Sequence, residues 1–234
     1  EELGYTYLGN WQYAKDANVN NMGVANSPIL DDEVRSFLKE QGRTEMQIED
    51  VLVKLKDKAR LGDSKMSSLI QCNTDLYDTL IMGIKSQPSP EENHEDVMFF
   101  DFDHPQNNHF AIAEEVSYID PLLGKNKRPD IVVYVNGIAL AVIELKRSLV
   151  NYEEGIKQHL SNERDFIPSF FTTTQFTIAS NDDVEFRYGT IGTPLPFWCK
   201  WKRDTKLVTL LQRKKHIVCF STRKTLCSSF IMVC

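Results

Sequence analysis

Two apolar runs, IVVYV at 131–135 and IALAVIEL at 138–145, meet at Asn136-Gly137, and no other feature restricts the fold of this chain as much. Asn and Gly accept the positive φ values of a tight turn, so the pair between two β-rich runs predicts an antiparallel hairpin. Side chains alternate across a strand. Glu144 and Lys146 therefore leave one face, while Ala141, Ile143 and Leu145 leave the other and are expected in the core. Asp130 heads the partner strand, directly after Pro129, which biases Arg128 towards extended geometry. The turn decides whether Asp130 joins the other two. A strict two-residue turn pairs positions whose numbers add to 273 and sets Asp130 opposite Ile143, on the wrong face. A three-residue turn over 135–137, with Gly137 left-handed, lowers that sum to 272 and sets Asp130 opposite Val142, diagonal to Glu144. Convergence of the three predicts that bulged turn, or an equivalent irregularity further along.

Around the hairpin, apolar spacing predicts helices over 29–60, with a break near Gly42, and over 64–85, where Leu69, Leu76, Leu80 and Ile84 share a face. Residues 87–93 are a loop by composition. Short extended segments are expected at 97–100, 110–113 and 116–119, then the hairpin. A helix over 149–161 and strands at 175–180 and 184–188, joined by Asn181-Asp182-Asp183, complete the pattern. Helices, a hairpin-centred sheet and a further helix indicate a mixed α/β or α+β layer structure. The segment 205–234 reads as partly helical with an uneven pattern.

The net charge of −6 conceals an asymmetry: residues 1–120 hold 23 acidic against 10 basic side chains, and the remainder 10 against 17. A basic half can face phosphates even in an acidic protein, although an ordinary solvated face has the same composition. Five cysteines without CxxC spacing suit free thiols in a reducing cytoplasm rather than structural zinc or disulfides. No apolar run is long enough for a membrane span.

Converging carboxylates from Asp130 and Glu144 would bind a hard cation such as Mg²⁺, and Lys146 would help hold an attacking water and offset charge on a phosphodiester. Spacing alone leaves open an amphipathic hairpin whose charged groups are merely solvated or paired. Lys125, Lys127 and Arg128 beside Asp130 are candidate phosphate contacts, as are Lys200, Lys202 and Arg203 near Trp198 and Trp201. One of Glu114 and Glu115 could approach the metal from a neighbouring strand, with edge solvation as the plainer reading. His94, His104 and His109 read as loop residues. Gln158 lies outside the apolar stripe of its helix and could orient a water or phosphate without adding charge.

Pro129-Asp130 with Glu144-Leu145-Lys146 resembles the signature of the PD-(D/E)xK nucleases. More closely, DFDHPQNNHFAIAEEVSY at 101–118, RPDIVVYVNGIALAVIELKRS at 128–148 and FTIASNDDVEFRYGTIGTP at 176–194 resemble the N-terminal nuclease region of the R (motor) subunit of type I restriction enzymes. TDLYDTLIMGIK at 74–85 and FWCKWK at 197–202 extend the likeness. The resemblance implies an α/β, restriction-endonuclease-like mixed central sheet flanked by helices. It divides the chain into a mainly helical part over 1–96, the catalytic sheet core over 97–204 and a segment over 205–234 leading towards a motor region. The implied catalytic set is Asp130, Glu144, Lys146 and Gln158, with Mg²⁺ on Asp130 and Glu144. The family's QxxxY motif is incomplete, because Asn162 stands where the Tyr belongs. Also implied are cytoplasmic cleavage of double-stranded DNA after ATP-driven translocation, and methylation and specificity subunits as partners. The sequence contains no G-x-x-x-x-G-K-[ST] phosphate loop, so the ATP would be used by a motor outside it. A non-catalytic DNA-binding or assembly module of a restriction complex is the alternative, and a repair nuclease of the same superfamily is a further one.

Overall fold

The computed structural model describes residues 5–11, 27–87, 93–147, 150–181 and 186–200. Expectations for Leu149, Asp182, Asp183, Trp201, Lys202, Arg203 and the segment 205–234 lie outside the described residues.

A strand β1 (Thr6–Asn10) precedes three helices, α1 (Asp31–Glu40), α2 (Glu45–Lys58) and α3 (Met66–Met82). Short strands β2 (Ile84–Ser86) and β3 (Glu95–Val97) follow, then β4 (Phe110–Glu114), β5 (Tyr118–Ile119) and β6 (Asn126–Lys127). The hairpin is β7 (Ile131–Val135) and β8 (Ile138–Lys146); α4 (Tyr152–Ser161), β9 (Phe176–Asn181), β10 (Phe186–Gly189) and β11 (Cys199–Lys200) complete the order. Seven strands make one sheet in the order β1-β4-β7-β8-β9-β10-β11, parallel at β1/β4 and β8/β9 and antiparallel elsewhere. The expected mixed α/β sheet flanked by helices is the architecture observed.

Both faces of the sheet are covered. Ile131, Val133, Ile138, Ala141 and Ile143 pack with Val34, Phe37, Leu52 and Leu76 of α1–α3. Val132, Tyr134, Ala139 and Val142 pack on the other side with Leu69, Ile167, Phe170 and Phe171. The break near Gly42 separates α1 from α2, whose start is fixed by a capping box between Thr44 and Gln47. The helix expected over 64–85 stops at Met82. Gly83 adopts φ 77°, and Ile84 belongs to β2. The segment expected to be extended at 97–100 is strand only as far as Val97. The residues of β1 carried no expectation of a strand.

The hairpin turn has two residues, with Asn136 and Gly137 at φ 48° and 80°. Asn136 is buried and anchors the turn: its side-chain nitrogen donates to Phe99 O and Asn108 Oδ1, both at 2.8 Å, and its Oδ1 accepts from His109 N at 2.6 Å. The register slips one step later. Val135 faces Ile138 and Tyr134 faces Ala139, but Val133 faces Ala141, so Leu140 is an extra residue. Gln175 N donates to the Leu140 carbonyl at 2.8 Å, so the bulge leads directly into the pairing with β9. The three-residue turn is thus replaced by a tight turn and a bulge further along. Beyond it, Ile131 faces Ile143, and the ladder brings Asp130 level with Glu144. Ala141 and Ile143 are core as expected, whereas Leu145 is 40% exposed because the strand is leaving the sheet's covered region.

Candidate active site at the end of the central hairpin

Asp130 is held by backbone and side chain alike. Its carbonyl accepts from Glu115 N at 2.9 Å, and the preceding Pro129 carbonyl accepts from Val116 N at 3.1 Å. Its Oδ2 accepts from Leu145 N at 2.7 Å, which clips the carboxylate to β8 between Glu144 and Lys146. Glu144 is fully buried rather than exposed on a solvated polar face, because α4 covers this end of β8. Burial pushes its carboxyl well above the ordinary carboxylate range; the Asp130 charge and a hydrogen bond with Asp130 add to that rise, and Lys146 opposes it. Glu144 Oε2 lies 3.9 Å from Lys146 Nζ and, among the described residues, has no hydrogen-bond partner.

The helix α4 supplies the other wall. Asn151 caps it by accepting from Glu153 N at 3.0 Å. Gly155 lets it approach the sheet: a Cβ there would stand 3.1 Å from Ala179 Cβ and 3.7 Å from Glu144 O and Lys146 Cγ. Lys146 Nζ donates to Gln158 Oε1, so the Gln lies at the site. One turn on, Asn162 Nδ2 points at Glu144 Oε1 at 3.4 Å. From Asn162 to Phe166 the helix widens into a π turn, closed by Ile167 N on Asn162 O at 2.8 Å. His159 is buried between Phe171 and Trp198, and burial lowers its pKa to about 4, so it is a neutral core imidazole.

The basic neighbours divide into two groups. Lys127 Nζ sits 4.1 Å and Lys125 Nζ 5.3 Å from the centre of the Phe166 ring, and Lys125 also donates to Asp165 O at 2.8 Å. Arg128 instead pairs with Glu115. Glu115 holds a left-handed φ of 53°, unusual for a residue with a side chain, and burial, opposed by Arg128 and aided by Asp130, raises its pKa. Its charge is also felt by Glu144, whereas Glu114 bonds to Tyr7 on the outer strand. His104 and His109 pair with Asp101 and Glu40 at 3.6 and 2.9 Å, away from the carboxylates.

Asp130, Glu144, Lys146 and Gln158 therefore meet at one end of the sheet. Among the described residues, no group of three or more His, Cys, Asp or Glu side chains is arranged to enclose a metal ion. The two carboxylates fit a hard cation that keeps most of its waters, and the unpartnered, buried Glu144 Oε2 is the donor such an ion would satisfy. Sequence reasoning missed Asn162 as a neighbour of Glu144. The available signal was its spacing of four from Gln158, which puts both on one helix face.

Comparison with known proteins gives the family. The chain is 26% identical over 211 residues to the type I restriction enzyme HindI endonuclease subunit of Haemophilus influenzae, covering 86% of the chain and 19% of that protein. It is 32% identical over 129 residues to the putative type I restriction enzyme MjaIXP endonuclease subunit of Methanocaldococcus jannaschii, covering 53% of the chain and 12% of that protein. The chain thus spans at most about a fifth of these relatives. Residues 1–196 match the family described as type I restriction enzyme R protein N terminus. With most of its length matched, the chain belongs to the type I restriction enzyme R protein N-terminal family.

Proposed function

We propose that this chain is the Mg²⁺-dependent DNA-cleaving domain of a type I restriction subunit, hydrolysing phosphodiester bonds with Asp130, Glu144 and Lys146. The observation that carries the reading is the buried Glu144 Oε2, unpartnered among the described residues, beside both Asp130 and Lys146. A buried carboxylate oxygen without a donor costs free energy, and a cation placed there would restore the balance. Asp130 and Glu144 would hold the ion, which supplies a lowered pKa for bound water and offsets charge on the phosphoryl oxygens. The amide of Leu145 keeps Asp130 turned towards β8. Lys146, steadied by Gln158, presents its ammonium to a scissile phosphate and to the water that attacks it. Lys125 and Lys127, aligned over Phe166, would hold the duplex by its phosphates.

Double-stranded DNA is the substrate in this reading. Sequence choice falls to methylation and specificity subunits, and ATP-driven translocation to a motor region outside this chain. The test is cleavage of unmethylated DNA by the full-length subunit assembled with those partners, ATP and Mg²⁺. Loss of cutting with translocation intact is expected in Glu144→Ala and Lys146→Ala. Wild-type cutting by both would remove the hairpin from the chemistry.

A further inference from the structure

The sheet and helix bordering the site match in spacing. Glu144 and Lys146 are two apart on β8, a rise of about 6.6 Å. Gln158 lies on α4 and Asn162, four residues on, at its C-terminal cap, a rise of about 6 Å. The helix runs against the strand, so Gln158 meets Lys146 and Asn162 meets Glu144. Asn162 is 1% exposed, so its amide is committed to the interior. Its backbone is fixed on both sides: its N–H donates to Gln158 O and His159 O, and its carbonyl accepts from Ile167 N across the π turn. Gly155 sets the close helix–strand approach that lets so short a side chain reach across.

We propose that Asn162 is a positioning residue for Glu144, holding Oε1 towards the helix so that Oε2 is turned to the cation. The proposal rests on the reading of Asp130 and Glu144 as metal ligands. A carboxylate whose two oxygens are free to exchange by rotation presents either to a ligand. One donor on Oε1 removes that freedom and leaves Oε2, the atom nearer Lys146 Nζ, as the open one. Asn162 Oδ1 is itself buried and, among the described residues, unpartnered, so the same wall holds a second open acceptor.

Calorimetric titration of the full chain with Mn²⁺ tests this, with thermal unfolding run in parallel. Asn162→Leu keeps the branched shape of the side chain at a larger volume and removes the donor, and it should weaken Mn²⁺ binding by roughly tenfold, as loss of a ligand-orienting partner does. If the leucine variant does not fold, Asn162→Ala serves, with the same expectation. Ile156→Val trims the core contact of the same helix and should leave Mn²⁺ affinity unchanged. Wild-type affinity in a folded Asn162 variant overturns the positioning role alone. Equal losses in Ile156→Val and the Asn162 variant reduce the effect to packing and also overturn it. A wild-type chain that binds no Mn²⁺, or binds it equally well as Glu144→Gln, overturns the ligand reading and this inference with it.

Discussion

The Lys146 ammonium donates to the side-chain oxygen of Gln158, so the last residue of β8 is held by the middle of α4. An ammonium on a flexible four-carbon stem has many orientations, and this bond selects one beside Glu144. Gln158→Ala should therefore slow single-turnover cleavage in the assembled complex by between about tenfold and a hundredfold, the cost of a misplaced group. Mn²⁺ affinity should be unchanged in that variant. Lys146→Ala should abolish cutting while binding Mn²⁺ as tightly or more so, because a cation 3.9 Å from Glu144 Oε2 has gone. Weaker Mn²⁺ binding in Lys146→Ala would contradict the division of roles.

Arg128 is tied to Glu115, whereas Lys125 and Lys127 lie over Phe166. Replacing both lysines with Ala should make the negative slope of log affinity for duplex DNA against log salt shallower by about 1.8, the release expected for two phosphate contacts. Arg128→Ala should change that slope less than the double variant does. Filter binding across a salt series measures both. An unaltered slope in the folded double variant would remove the lysines from the DNA surface.

Glu163 is buried in the π turn, where one oxygen accepts from Gly192 N at 2.9 Å and the other, among the described residues, has no partner. Burial raises its pKa to about 7, opposed by the Gly192 bond. The folded protein thus binds a proton that the unfolded chain has released above its ordinary value near 4.5. Stability falls as pH rises between those values and levels off above the higher one. Glu163→Gln keeps an acceptor for Gly192 and cannot ionise. Its stability advantage over wild type should be small at pH 4.5, grow to as much as about 3 kcal/mol by pH 8, and then stay level. Urea denaturation at several pH values reads this directly; a constant difference would show that Glu163 does not titrate in that range.

Gly137 sits at φ 80°, and a Cβ there would stand 2.7 Å from both Leu30 O and Glu33 Cβ. Gly137→Ala should cost at least about 2 kcal/mol, combining left-handed strain with a contact against backbone. A Tm within about 2 °C of wild type would mean that α1 moves aside freely.

Much of this site was legible before any fold was known, because strand periodicity puts Glu144 and Lys146 on one face whatever surrounds them. The hairpin and the helix carrying Gln158 followed from apolar spacing and the Asn136-Gly137 signal. Two things were not legible. That some irregularity is needed follows from the convergence of Asp130 with Glu144, but its place at Leu140 depends on how β9 and Gln175 dock, a tertiary event with no local signature. The burial of Glu144 depends on the cover provided by α4, so a residue expected on a polar face turned out to be fully enclosed. In the sequence Asn162 is only a mismatch to a motif, because a motif specifies identity, whereas its place beside Glu144 comes from the fold.

Leu140 gives the two halves of β8 opposite phase. On the turn side, odd-numbered Ala139 points towards Tyr134 and Val132; past the bulge, even-numbered Val142 does, followed by Glu144 and Lys146. Deleting one residue there would exchange inside and outside for everything downstream, sending the carboxylate into the layer built by α1–α3 and Ile143 towards α4. Replacing one apolar side chain by another would change packing but leave that ordering intact. The property on which the site depends is therefore a tally along the chain, insensitive to most substitutions and destroyed by a single deletion.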